Sequence, residues 1–152
     1  MPSPTFRSHH CDRTFSIRQH LNCNTQNVIY LINCNTCKKS NVGCTTRAMK
    51  DRWSGHKSHI KTNRHTCEIV NHILDNNVEH PLNRTNNKLF DQSLSQGIEI
   101  YLIEHVKVDK ADDSETRLNK CKVREGFWQK QLRTMEIHGG LNKRDSQRES
   151  NK

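Results

Sequence analysis

Asn27-Val28-Ile29-Tyr30-Leu31-Ile32, followed shortly by Asn41-Val42-Gly43, is the stretch on which the fold turns. The first run is β-branched and aromatic and is bounded by Asn, which predicts a strand. Residues 33–40 read as a turn holding Cys34-Asn35-Thr36-Cys37, and a short second strand over 41–43 closes a hairpin. Beyond it, Met49, Trp53, His56 and Ile60 step by four, three and four, one face of a helix over about 46–60 with Thr45 or Thr46 as N-cap. A short helix over 67–75 follows, then a loop over 81–96, a strand over 97–108 and a last helix over 113–135. Strand, strand, helix, helix, strand, helix is an α+β order: a small three-stranded, mostly antiparallel sheet flanked by helices.

The 152 residues suit one domain, with 1–21 expected as a flexible arm and 146–152 as a polar tail. Apolar residues make up only 31% of the chain, so the core must be small and loops long. No apolar run approaches a membrane span and no signal-peptide pattern opens the chain, so the expectation is an intracellular protein, nuclear or cytoplasmic, not secreted. The formal net charge is +9. The excess is concentrated: Lys38, Lys39, Arg47, Lys50, Arg52, Lys57, Lys61 and Arg64 fall within 27 residues that hold one acid, Asp51. Such clustering suits a phosphate-facing surface and equally a solvated basic face.

Two helices carry polar groups where apolar ones belong. On the last helix, Leu118, Cys121, Glu125, Trp128, Leu132 and Met135 step by three and four, so Glu125 points along the buried stripe. A carboxylate there is costly unless it is paired, protonated or bound to a metal. On the earlier helix, Arg52 and His56 border the apolar stripe. Arg, His and Glu turned inward from two helices offer a phosphate clamp, a proton-handling group and a metal ligand. Cys34-x-x-Cys37 has the spacing of half a zinc site, which needs two further ligands such as His65, His72 or His80. Its bland alternative is a pair of free turn cysteines. Cys23, Cys44, Cys67 and Cys121 read as ordinary small buried residues.

Val28-Ile29-Tyr30, Asn41-Val42-Gly43, Arg52 with His56, Glu125 and Gly140-Leu141-Asn142 together resemble the ordered motifs of the GIY-YIG nucleases. The phrases at 28–37, 124–132 and 140–142 are more closely similar to the endonuclease domain of Penelope-like retroelements, over residues 22–145. The resemblance implies a DNA endonuclease that hydrolyses a phosphodiester with one Mg²⁺ or Mn²⁺ held by Glu125. It implies Tyr30 as the phenol activating water, Arg52 on the scissile phosphate, His56 assisting proton transfer or orienting the phenol, and Asn142 ordering the chain end. It also implies a Cys-Cys-His-His zinc set and a reverse-transcriptase domain in the same polyprotein. Val28 stands for the first motif's glycine, which a strand tolerates. Asn41 stands for the second motif's tyrosine, and an amide cannot act as a phenolic acid or base. The alternatives are therefore a catalytically impaired DNA-binding domain or, further off, a zinc-dependent interaction module.

Overall fold

The computed structural model describes residues 4–17, 19–76 and 86–143. The elements run β1 (Thr5–Phe6), β2 (Phe15–Ser16), β3 (Val28–Cys34), β4 (Lys39–Thr45), α1 (Met49–Lys61), α2 (Glu68–Asp75), α3 (Asn87–Gly97), β5 (Ile98–His105) and α4 (Ser114–Leu132), with a 3₁₀ turn at Glu136–His138. The α+β expectation holds: β4-β3-β5 form an antiparallel three-stranded sheet among four helices. Every residue of β3 is buried, as a central strand covered on both faces requires. Val28, Tyr30, Ile32 and Cys34 face α1, α2 and α3. Ile29 and Leu31 face Cys121 and Leu132 of α4. Between Ile29 and Tyr30 the pairing with β5 slips by one residue, so Ile103 bulges out of register.

Several expectations are corrected. The supposed arm is a docked hairpin over residues 4–17. Phe6 is buried, stacks on Phe15 at 5.6 Å and meets Trp128 edge-on at 5.5 Å. Ser8 Oγ donates to the Leu132 carbonyl, and the Ser40 amide donates to His10 Nε2 at 3.1 Å. The supposed loop over 81–96 contains α3, whose Asn86 cap accepts from the Leu89 amide and whose Phe90 and Leu94 enter the core. Residues 81–85 of that stretch, and the polar tail, lie outside the described residues.

Helix α1 starts later than expected. The Thr45 hydroxyl accepts the Arg47 amide at 3.1 Å in a turn of its own, and Ala48 becomes the N-cap. The last helix ends at Leu132 because Arg133 adopts a left-handed conformation (φ 55°). Met135 therefore falls beyond it, and Leu118, placed on the buried stripe by spacing, is 45% exposed. Cys23 is also exposed, whereas Cys44 and Cys121 are buried and Cys67 half-buried. No helix among the described residues is long and apolar enough to cross a membrane.

Candidate active site

Strand β4 lies at the edge of the sheet, and that edge borders a polar cavity of about 410 Å³. The floor comes from one sheet, and the walls come from α1 and α2 on one face and α4 on the other. Tyr30, Asn41, Gly43, Arg52, His56, Glu125 and Asn142, drawn from across the chain, all line it. Tyr30 sits directly opposite Gly43 in the β3–β4 register. A Cβ at position 43 would run into the Tyr30 ring, so the glycine lets the phenol lie across β4 toward its open edge.

The phenol is held by α1. Arg52 Nε donates to Tyr30 Oη at 3.4 Å, and His56 Nε2 lies 3.4 Å from the same oxygen. Arg52 and His56 sit one helical turn apart, which is what allows both to reach one atom. Burial pushes the Tyr30 pKa well above the ordinary phenol value, with Arg52 opposing the shift. Burial, then the charge of Arg52, lowers His56 to about 4, so its imidazole is neutral at physiological pH. Partial burial of Arg52 lowers its pKa, and the neighbouring Tyr30 oxygen, with the Cys67 and Cys44 sulfurs, more than offsets this and raises it.

Across the cavity, Glu125 is 6% exposed. Gln129 Nε2 donates to its Oε1 at 3.3 Å, and Lys122 Nζ stands 3.8 Å away. The Cys44 thiol is hydrogen-bonded to the same carboxylate; burial and this neighbour push the thiol well up. The Glu125 carboxylate oxygens are the donor type that could hold a Mg²⁺ or Mn²⁺ ion. Asn142 ties its own segment to β4: its Oδ1 accepts the Val42 amide at 2.8 Å and its Nδ2 donates to the Val42 carbonyl at 2.9 Å. With the Leu141 amide, which donates to the Ser40 carbonyl at 3.0 Å, this side chain does for part of the β4 edge what a neighbouring strand would. Gly140 makes this return possible, since a Cβ there would collide with the Thr134 backbone. Asn41, at the second-motif position, is buried beside the cavity and pairs with Ile32 in the ladder.

Sequence reasoning missed Lys122 and Gln129, although their spacing of three and four from Glu125 marks them. It also missed Cys67, whose Sγ lies 3.6 Å from His56 Nδ1. Among the basic residues, Lys38, Arg47, Lys50 and Arg64 are exposed. Lys57 pairs with Asp91 at 3.3 Å, Lys39 donates to the Gly139 carbonyl at 3.0 Å, and Lys61 is half-buried. The cavity adds two cations of its own, Lys122 and Lys143.

A second cluster lies at the far end of the hairpin. Ligand atoms of Cys34, Cys37 and His72 all fall within 4.8 Å of one another, so the three can hold a metal ion such as zinc. The Cys37 amide donates to Cys34 Sγ at 3.4 Å, and Lys38 takes a left-handed φ of 56° to turn the chain back. Of the three histidines proposed, the structure brings His72 to the cysteines. His65 instead pairs with Asp75 at 3.1 Å on the surface, and His80 lies outside the described residues. Comparison with protein-family models, curated proteins and solved structures returns no match.

Proposed function

We propose that the domain is a GIY-YIG-type endonuclease, retroelement-derived, that hydrolyses a DNA phosphodiester with one divalent metal. The observation that carries the reading is the convergence of Tyr30, Arg52, His56 and Glu125 on one cavity. A bound Mg²⁺ or Mn²⁺ at Glu125 would supply positive charge that stabilises the pentacovalent phosphate and favours the phenolate of Tyr30. The chain's own groups do the rest. Arg52, solvent-facing yet anchored on the Tyr30 oxygen, would bind the phosphate. Tyr30 first releases its phenolic proton to solvent in the cavity it lines, and the phenolate oxygen then takes the proton of the attacking water as the water oxygen bonds phosphorus. The leaving oxygen departs on the opposite side with the electron pair of the broken P–O bond and is protonated from solvent. Lys38, Arg47, Lys50 and Arg64 would carry flanking phosphates. Cys34, Cys37 and His72 hold a structural zinc, with His80 or His65 as the family-type fourth ligand; the Asp75 pair makes His65 the weaker choice.

Plasmid incubated with protein and Mg²⁺ or Mn²⁺ is expected to be nicked by wild type and not by Glu125→Ala. Equal nicking by both, or none by wild type, removes the reading. The runner-up is a DNA-binding domain without cleavage, and the observation favouring it is Asn41, buried where the family has a second phenol. It predicts salt-sensitive duplex binding with no cut strand.

A further inference from the structure

Cys67 is the N-cap of α2 and lines the cavity, yet none of the steps above uses it. Its sulfur stands behind the His56 ring, 3.6 Å from Nδ1, while Nε2 on the other side faces Tyr30 Oη at 3.4 Å. With Arg52 Nε 3.4 Å from the same oxygen, the groups form a file: Cys67, His56, Tyr30, Arg52.

The direction of this file follows from counting protons. The imidazole is neutral and carries one N–H, either on Nδ1 or on Nε2. Burial raises the Cys67 pKa, keeping the thiol protonated, while the Val70 and Ile69 amides oppose that shift by donating to the sulfur. A sulfur that already receives amide N–H groups turns its own S–H outward, and His56 Nδ1 is the acceptor it meets. The imidazole proton then resides on Nε2 and points at Tyr30. Arg52 Nε–H points there too, so the phenolic oxygen receives two donors while its own proton turns to the cavity that Tyr30 lines, an arrangement that suits the phenolate once that proton has left.

We infer that Cys67 is a positioning residue that fixes His56 as its Nε2–H tautomer and so aims a second hydrogen-bond donor at the Tyr30 oxygen. Its effect on rate rests on the nuclease reading; the tautomer does not. Nitrogen-15 NMR of the full chain with labelled histidine reads both ring nitrogens of His56. Wild type and Cys67→Ser, which keeps a donor, are expected to show protonated Nε2 and bare Nδ1; Cys67→Ala is expected to show a mixture. A wild-type imidazole protonated on Nδ1, or a Cys67→Ala spectrum identical to wild type, overturns the inference. The wild-type spectrum decides the tautomer even where a variant fails to fold. In the nicking assay, Cys67→Ala is expected to slow cutting roughly three- to tenfold, the worth of one hydrogen bond. Its pH–rate curve should be displaced to higher pH, with Cys67→Ser restoring both. Absence of nicking by wild type would strike the nuclease reading and leave the NMR result standing.

Discussion

The cavity at the β4 edge and the Cys34–Cys37–His72 cluster start from the same strand, on the same face, about 13 Å apart along β3. They are built in opposite ways. The cluster takes two of its three ligands from the end of β3 and the tight turn after it, and its third, His72, from α2, where it borders a smaller pocket of about 260 Å³. The cavity takes Tyr30 from β3, Arg52 and His56 from α1, and Glu125 from α4, and keeps a wide opening. Ligands gathered by a turn tie the chain together, whereas polar groups gathered by the whole fold are a cost that the fold carries for chemistry. Variants at the first should change stability, and variants at the second activity.

The sharpest way to break this contrast is Arg52→Ala. Nicking is expected to fall by roughly a hundredfold or more, as for loss of a transition-state cation, with little change in Tm because the side chain is exposed. A comparable loss of Tm would merge the two regions. Next comes Cys34→Ser, expected to lose bound zinc and stability on the order of several kcal/mol. Thermal melts with and without chelator check it: chelation should destabilise wild type and Glu125→Ala alike but leave Cys34→Ser unmoved.

The pH dependence sharpens the picture. His56 titrates at about 4 in the fold against 6.5 unfolded, so the unfolded chain binds the extra proton between those values. Stability from this group is therefore full above pH 6.5 and declines as pH falls toward 4, by roughly 3 kcal/mol in all. Denaturant titrations of wild type and His56→Gln across that window should show the slope flatten in the variant. Smallest is a glycine pair. Gly43→Ala drives a methyl into Tyr30 and should cost roughly 1–3 kcal/mol. Gly55→Ala, with open space around it in mid-helix, should gain up to about 1 kcal/mol. Calorimetric Tm shifts of opposite sign are the expected result.

Much of this was legible in the sequence because periodicity reports which face a residue takes. His56 and Glu125 betrayed themselves by occupying buried helical positions, and the β3–β4 hairpin by its β-branched run. What escaped was decided by distant partners. Residues 4–17 look polar and patternless, and it is the contact of Phe6 and Phe15 with Trp128, together with the hydrogen bonds of Ser8 and His10 to distant backbone, that docks them. Helix α3 shows two core residues, Phe90 and Leu94, among mostly polar neighbours and an exposed Leu89, too few for a stripe. Cys67 is a single cysteine until α2 brings it behind His56. Leu118 failed in the other direction: the spacing put it inward, but it lies in the second turn of α4, where it is left 45% exposed.

The most direct test of the central claim is single-turnover cleavage of an end-labelled duplex by the full chain in Mn²⁺, run beside Tyr30→Phe and Glu125→Ala. The account predicts a metal-dependent cut by wild type that rises with pH and is lost in both variants, while zinc content and Tm stay near wild type. Binding without cutting by wild type, or cutting that survives in Tyr30→Phe and Glu125→Ala, would contradict it.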